Sequence, residues 1–131
     1  MRIVKALIGA LLGVSLAACE MQEQQGAKTT VTPREVYEQR ASKDVVIIDV
    51  RTPAEFRMER IKEAQNKPLD QIQNWVKDLP KDKKIYFVCR SGNRSGQAQR
   101  IAQQAGYTNA YNMEGGMLAW RREGLPVVSG E

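Results

Sequence analysis

Apolar positions along this chain follow two periods that alternate. Val45-Val46-Ile47-Ile48-Asp49-Val50 and Ile85-Tyr86-Phe87-Val88 are continuous β-branched or aromatic runs and predict strands. Such runs suit a parallel sheet whose strands are covered on both faces. Helical spacing fills the intervals. Leu69, Ile72, Trp75, Val76 and Leu79 predict one amphipathic helix, bounded by Pro68 and Pro80. Ala98, Ile101, Ala102 and Ala105 predict another, which starts at Ser95 and stops at Gly106. Thr32-Pro33-Arg34-Glu35 and Thr52-Pro53-Ala54-Glu55 are capping boxes with proline at the first helical position. The first opens a helix to Arg40, and the second opens a short one through Phe56 and Met58. Weaker strands are expected at Ala64 to Asn66 and Asn109 to Asn112. A last helix is expected from Met117 to Glu123, after the turn at Gly115-Gly116. The alternation implies an α/β fold, a central parallel sheet of about five strands with helices on both faces. Sites in such sheets lie beyond the carboxyl ends of the strands, where both Cys89 and Asp49 to Arg51 fall.

The start of the chain breaks this pattern. Met1, Arg2 and Lys5 form a basic head, and Ala6 to Ala18 is apolar apart from Gly and Ser. That run is short for a bilayer span and has the shape of a signal-peptide core. Leu16-Ala17-Ala18-Cys19 resembles the bacterial lipoprotein signal, which implies cleavage before Cys19 and lipidation of its thiol. An ordinary secretory signal cut near Ala18 is the alternative. Residues 1–18 are thus read as a signal peptide and 19–30, polar and Gln-rich, as a flexible tether. Residues 31–128 are read as one domain, and 129–131 as a tail. The expected location is the bacterial cell envelope, lipid-anchored on the periplasmic side, with Glu20 after the cysteine favouring the outer membrane.

Charge narrows the picture. The formal net charge of +5 falls to +3 once Arg2 and Lys5 leave with the signal. That mild excess, with no basic stripe interleaved with aromatics, gives no reason to expect a nucleic-acid partner. The chain has no histidine. A Cys–His catalytic pair and a histidine-bearing metal site are therefore excluded, and with Cys19 on lipid no cysteine pair remains for zinc or a disulfide. No metal and no cofactor is expected.

Candidate chemistry gathers at Ile85 to Ala105, a strand, a tight loop and a helix. Cys89 is the first loop residue, followed by Arg90, Ser91, Gly92, Asn93, Arg94 and Ser95. A loop feeding a helix start aims unpaired N–H groups into one small space. Helix dipole and arginines add positive charge, which favours a thiolate and would hold a small oxyanion beside it. A cysteine ending an apolar strand also reads as a small core residue. The polar and cationic residues that follow it weigh against a dry position. A lone thiol exported into an oxidising compartment also points to use.

Three pieces carry a resemblance. Ile48 to Phe56 (IDVRTPAEF), Val88 to Ser95 (VCRSGNRS) and Gly106 to Trp120 (GYTNAYNMEGGMLAW) are similar in order and spacing to the rhodanese-like domain family. The resemblance covers nearly all of residues 31–128 and implies a thiosulfate-type sulfurtransferase. Cys89 would take the outer sulfur of thiosulfate or a similar donor as a persulfide and pass it to a thiol, small or protein, or to cyanide. Arg90 to Ser95 match the family's active-site loop, with Arg90 and Arg94 drawing in the anionic donor.

Phosphatase and arsenate-reductase relatives space cysteine and arginine by five residues. Here four separate Cys89 from Arg94, which suits a single sulfur atom better than a phosphate. A non-catalytic binding or sensing module is the other alternative, against which the intact cysteine loop argues. Asp49 and Arg51 are read as structural polar groups fixing the strand end, with Glu55 as a candidate partner, in preference to a substrate clamp. Gly115 and Gly116 are read as a tight turn beside the loop, and Trp75 and Trp120 as core. The segment Arg60 to Pro68 departs from the family's pattern at Arg60, Glu63 and Lys67, and Lys67 would add a cation near the pocket.

Overall fold

The computed structural model describes residues 28–130. The signal, Cys19 and most of the tether lie outside the described residues. Five strands form one parallel sheet: β1 (Thr30–Val31), β2 (Val45–Asp49), β3 (Ala64–Asn66), β4 (Lys84–Val88) and β5 (Ala110–Met113), in the order β1-β5-β4-β2-β3. The expected α/β fold, about five parallel strands with helices on both faces, is the one observed. β1 was not expected. Thr30, assigned to the tether, joins the sheet edge opposite Asn112, and the Asn112 amide donates to the Thr29 carbonyl at 2.9 Å.

Two capping boxes start the first two helices, α1 (Pro33–Gln39) and α2 (Pro53–Met58). In each, the threonine hydroxyl accepts from the backbone N–H of the glutamate three residues on, and that glutamate's carboxylate accepts from the threonine N–H. The cap alone is worth about 1 kcal/mol.

The helix predicted over Leu69 to Leu79 is broken into a 3₁₀ turn (Leu69–Gln71), one α-turn, α3 (Ile72–Trp75), and a second 3₁₀ turn (Val76–Asp78). The segment has no side-chain cap at any start. The Trp75 indole N–H donates back to the Pro68 carbonyl at 3.0 Å. Ile72, Trp75, Val76 and Leu79 nonetheless all reach the core, so the apolar face is kept although the helix is interrupted.

α4 (Asn93–Gln104) and α5 (Gly116–Arg122) complete the fold. α4 begins two residues earlier than its apolar pattern suggested, because Gly92 at φ 102° starts the turn.

Strand alternation divides the core. Ile48, Ile85, Phe87 and Cys89 pack with Trp75, Ala98 and Ala102 on the α3–α4 face. Ile47, Tyr86, Val88 and Met113 pack with Val36, Met117 and Trp120 on the α1–α5 face. Both tryptophans are core residues, as expected. The segment read as a tail is bonded to the domain, since Gly130 N–H donates to Arg57 O at 2.8 Å, and Val128, the last residue assigned to the domain, pairs with Arg60 in an antiparallel bridge. Arg60 lies over the Phe56 ring at 4.9 Å, so this departure from the family pattern helps hold the chain end.

Candidate active site

β4 delivers Cys89 on the face already used by Ile85 and Phe87, and the chain then leaves the sheet. Gly92 turns it into α4 with a left-handed φ that glycine accepts without strain. The turn aims donors at the sulfur: Gly92 N–H reaches Sγ at 3.0 Å, and the Ser95 hydroxyl lies 3.2 Å from it. On the other side, Met117 and Leu118 N–H at the start of α5 donate to the carbonyls of Cys89 (2.8 Å) and Arg90 (3.1 Å). That approach requires Gly116, at φ 58°, since a Cβ there would overlap the Arg90 carbonyl. The Gly115-Gly116 turn thus sits beside the loop, as its sequence suggested.

Cys89 has no solvent exposure. The arginines and serines that follow it therefore do not bring the thiol to the surface. It is a core residue on its Phe87 and Ala98 side and a hydrogen-bond acceptor on its loop side. Burial pushes the thiol's pKa up. The Ser95 hydroxyl and the backbone amides of Ser95, Gly92 and Ser91 more than offset this, so the pKa is held below its ordinary value. The donors are fixed in a low-dielectric pocket, which strengthens each of them.

The two loop arginines part company. Arg90 is exposed, and no carboxylate pairs with it among the described residues. Arg94 forms a two-pronged ion pair with Glu55, at 2.7 and 2.9 Å, so its charge is already engaged. Ser91 is exposed at the loop tip. Asn93, the first residue of α4, spends its side-chain oxygen on Gln97.

Beside the loop, Asp49 grips Arg51 through Nε and Nη2 at 2.7–3.1 Å, and Arg51 also donates to Glu59 O. Both are buried, which fits the structural reading; Glu55, however, joins Arg94 and not this pair. Lys67 is tied by its backbone N–H to Asp49 O and does not line the cleft beside the loop.

That cleft, about 240 Å³, is lined by Arg51, Glu55, Met58, Glu59, Arg90, Met117, Leu118 and Arg121. Met58 and Leu118 are exposed apolar side chains, the former at 77 %.

Sequence reasoning passed over Asn112. It is the penultimate residue of β5, next to β4, and its side chain reaches Gly92 in the loop and Ser95 in α4. Its position at a strand's carboxyl end just before the Gly115-Gly116 turn was the available signal. Nothing local in the sequence pointed to Glu55 reaching across to α4.

The family described as the rhodanese-like domain matches residues 32–123. A protein of Allochromatium vinosum named sulfurtransferase is 41 % identical over 90 residues, which cover 69 % of this chain and 84 % of that one. A crystal structure of a rhodanese-related protein from Thermoplasma volcanium is 34 % identical with a TM-score of 0.69, covering 76 % of this chain and 96 % of that one. A rhodanese-like domain protein from Staphylococcus aureus is 35 % identical with a TM-score of 0.65, covering 70 % and 90 %.

Proposed function

The chain belongs to the rhodanese-like domain family, and from that starting point we propose that it carries sulfane sulfur from a thiosulfate-type donor to a thiol through a persulfide on Cys89. The family match and a relative named sulfurtransferase support an enzyme of the rhodanese family. One observation carries the persulfide mechanism: Sγ is met by main-chain and hydroxyl donors, in a chain that has no histidine to act as its base.

In the first half-reaction the Cys89 thiolate attacks the outer sulfur of thiosulfate. The new Sγ–S bond forms as the donor's S–S bond breaks, and the electron pair leaves with sulfite. In the second, an acceptor thiolate attacks the outer sulfur of the persulfide, and the Sγ–S electron pair returns to Cys89. The loop amides that stabilise the thiolate also stabilise the anionic persulfide. Arg90, exposed and unpaired among the described residues, draws in the donor by charge. The cleft beside the loop, lined by Arg90, Met58 and Leu118, offers the acceptor a surface to dock on.

Export and lipidation at Cys19 form part of this proposal, supported by the basic head, the apolar run and Leu16 to Cys19. No helix among the described residues is long and apolar enough to cross a membrane.

Incubating the purified chain with thiosulfate and measuring its intact mass tests the reading. One added sulfur atom, removed by a thiol and absent in Cys89→Ser, is the expected result. Turnover of an aryl phosphate with no sulfur uptake would overturn it in favour of a phosphatase.

A further inference from the structure

Ser95 has one proton and two acceptors that want it. Its hydroxyl oxygen lies 3.2 Å from Cys89 Sγ and 2.6 Å from Asn112 Oδ1, and Ser95 has no solvent exposure. The orientation of the Asn112 amide is settled by its other end, since Nδ2 donates to the Gly92 carbonyl at 3.1 Å. Oδ1 is thus the atom facing Ser95, and it can only accept. The two states of the cysteine then impose two arrangements. A thiol donates S–H to Ser95 Oγ, and the Ser95 hydroxyl donates onward to Asn112. A thiolate can only accept, so the hydroxyl proton turns to sulfur and Asn112 Oδ1 loses its donor.

We propose that Asn112 is a positioning residue that tunes the Cys89 sulfur by competing with it for the single proton of the Ser95 hydroxyl. The competition works against the loop amides. They favour the thiolate, while Asn112 keeps back part of one donor. A thiolate that is less stabilised is a stronger nucleophile, and a more stabilised one leaves faster. Asn112 therefore favours sulfur uptake over sulfur discharge. This kinetic consequence rests on the sulfurtransfer reading, whereas the proton competition does not.

The test follows the pH dependence of Cys89 alkylation by iodoacetamide in the full chain. Asn112→Ala, and Asn112→Val as a variant suited to a strand, remove the acceptor. The charged groups around the sulfur are the same in both: Arg90, the Arg94–Glu55 pair, the Asp49–Arg51 pair at the neighbouring strand end, and Glu59 with Arg121 across the cleft. The alkylation midpoint should fall by about half a unit to one unit, because the freed hydroxyl is worth about one neutral hydrogen bond. In a Ser95→Ala background the same substitutions should leave the midpoint where Ser95→Ala alone puts it. With thiosulfate as donor, uptake into a fully ionised Cys89 should slow about twofold and discharge to a thiol should quicken by a similar factor.

If Asn112 only tethers the loop through Gly92, its loss loosens the amide donors and the midpoint rises. A rise, an unchanged midpoint, or a fall that persists without Ser95 would each overturn the proposal. Failure of sulfur uptake in the unsubstituted chain would overturn the sulfurtransfer reading and leave the alkylation result standing.

Discussion

Strands β2 and β4 lie side by side with Asp49 opposite Val88, and their carboxyl ends are built in opposite ways. The β2 end is closed upon itself. Asp49 and Arg51 satisfy each other, and Asn66 Nδ2 bridges the Asp49 and Arg51 carbonyls. The β4 end is open in its bonding although buried in space: donors from three residues converge on one sulfur, and one proton is shared between two acceptors. A buried charge pair that spends most of its hydrogen bonds on itself holds the sheet end in place. A soft atom surrounded by donors retains its capacity to bond, which is the condition for reactivity.

The largest effect expected from breaking this contrast is on stability. Asp49→Ala would leave the Arg51 guanidinium buried without its partner and should cost about 3–5 kcal/mol, read from denaturant unfolding. An equal loss from Cys89→Ser would erase the distinction between a structural strand end and a reactive one.

Next in size is the division between the loop arginines. Arg90→Ala should raise the half-saturating thiosulfate concentration about tenfold, one charge-assisted contact. Glu55→Gln, which releases Arg94, should lower it about two- to threefold. Steady-state kinetics decide, and the reverse pattern would make Arg94 the donor's anchor.

The smallest effect separates the two capping boxes. Glu55 is pulled from 4.5 to about 2, chiefly by its bonds to Arg94 and despite its partial burial. Its carboxylate is depressed in the folded state, so its stabilisation is complete above pH 4.5 and is lost as pH falls towards about 2. Glu55→Gln should flatten acid unfolding across that window by about 1 kcal/mol, after solvent screening. Glu35, lowered mainly by Lys28 on an exposed edge, should give a smaller change in the same titration.

Much of this was legible in the residues. The runs at Val45 to Val50 and Ile85 to Val88 and both Thr-Pro-x-Glu starts are local patterns, set by side-chain branching, proline geometry and hydrogen bonds three residues apart. Cys89 could be singled out because a thiol followed by small and cationic residues departs from strand periodicity. The pairing of Glu55 with Arg94 and the reach of Asn112 to Ser95 span 39 and 17 residues, and no local pattern encodes them. The same holds for the burial of the thiol, which depends on what α3 and α4 bring over it.

By itself, the sequence determined most of the strand and helix order, the caps, the thiol that ends β4 and the absence of any histidine to serve it, because each follows from residues in hand or near neighbours. Only the tertiary structure decided which arginine stays free, which asparagine shares the serine's proton and how far the sulfur is closed off. Those outcomes depend on the parallel sheet setting the ends of β2, β4 and β5 side by side, and contacts between distant segments exist only after that packing has formed.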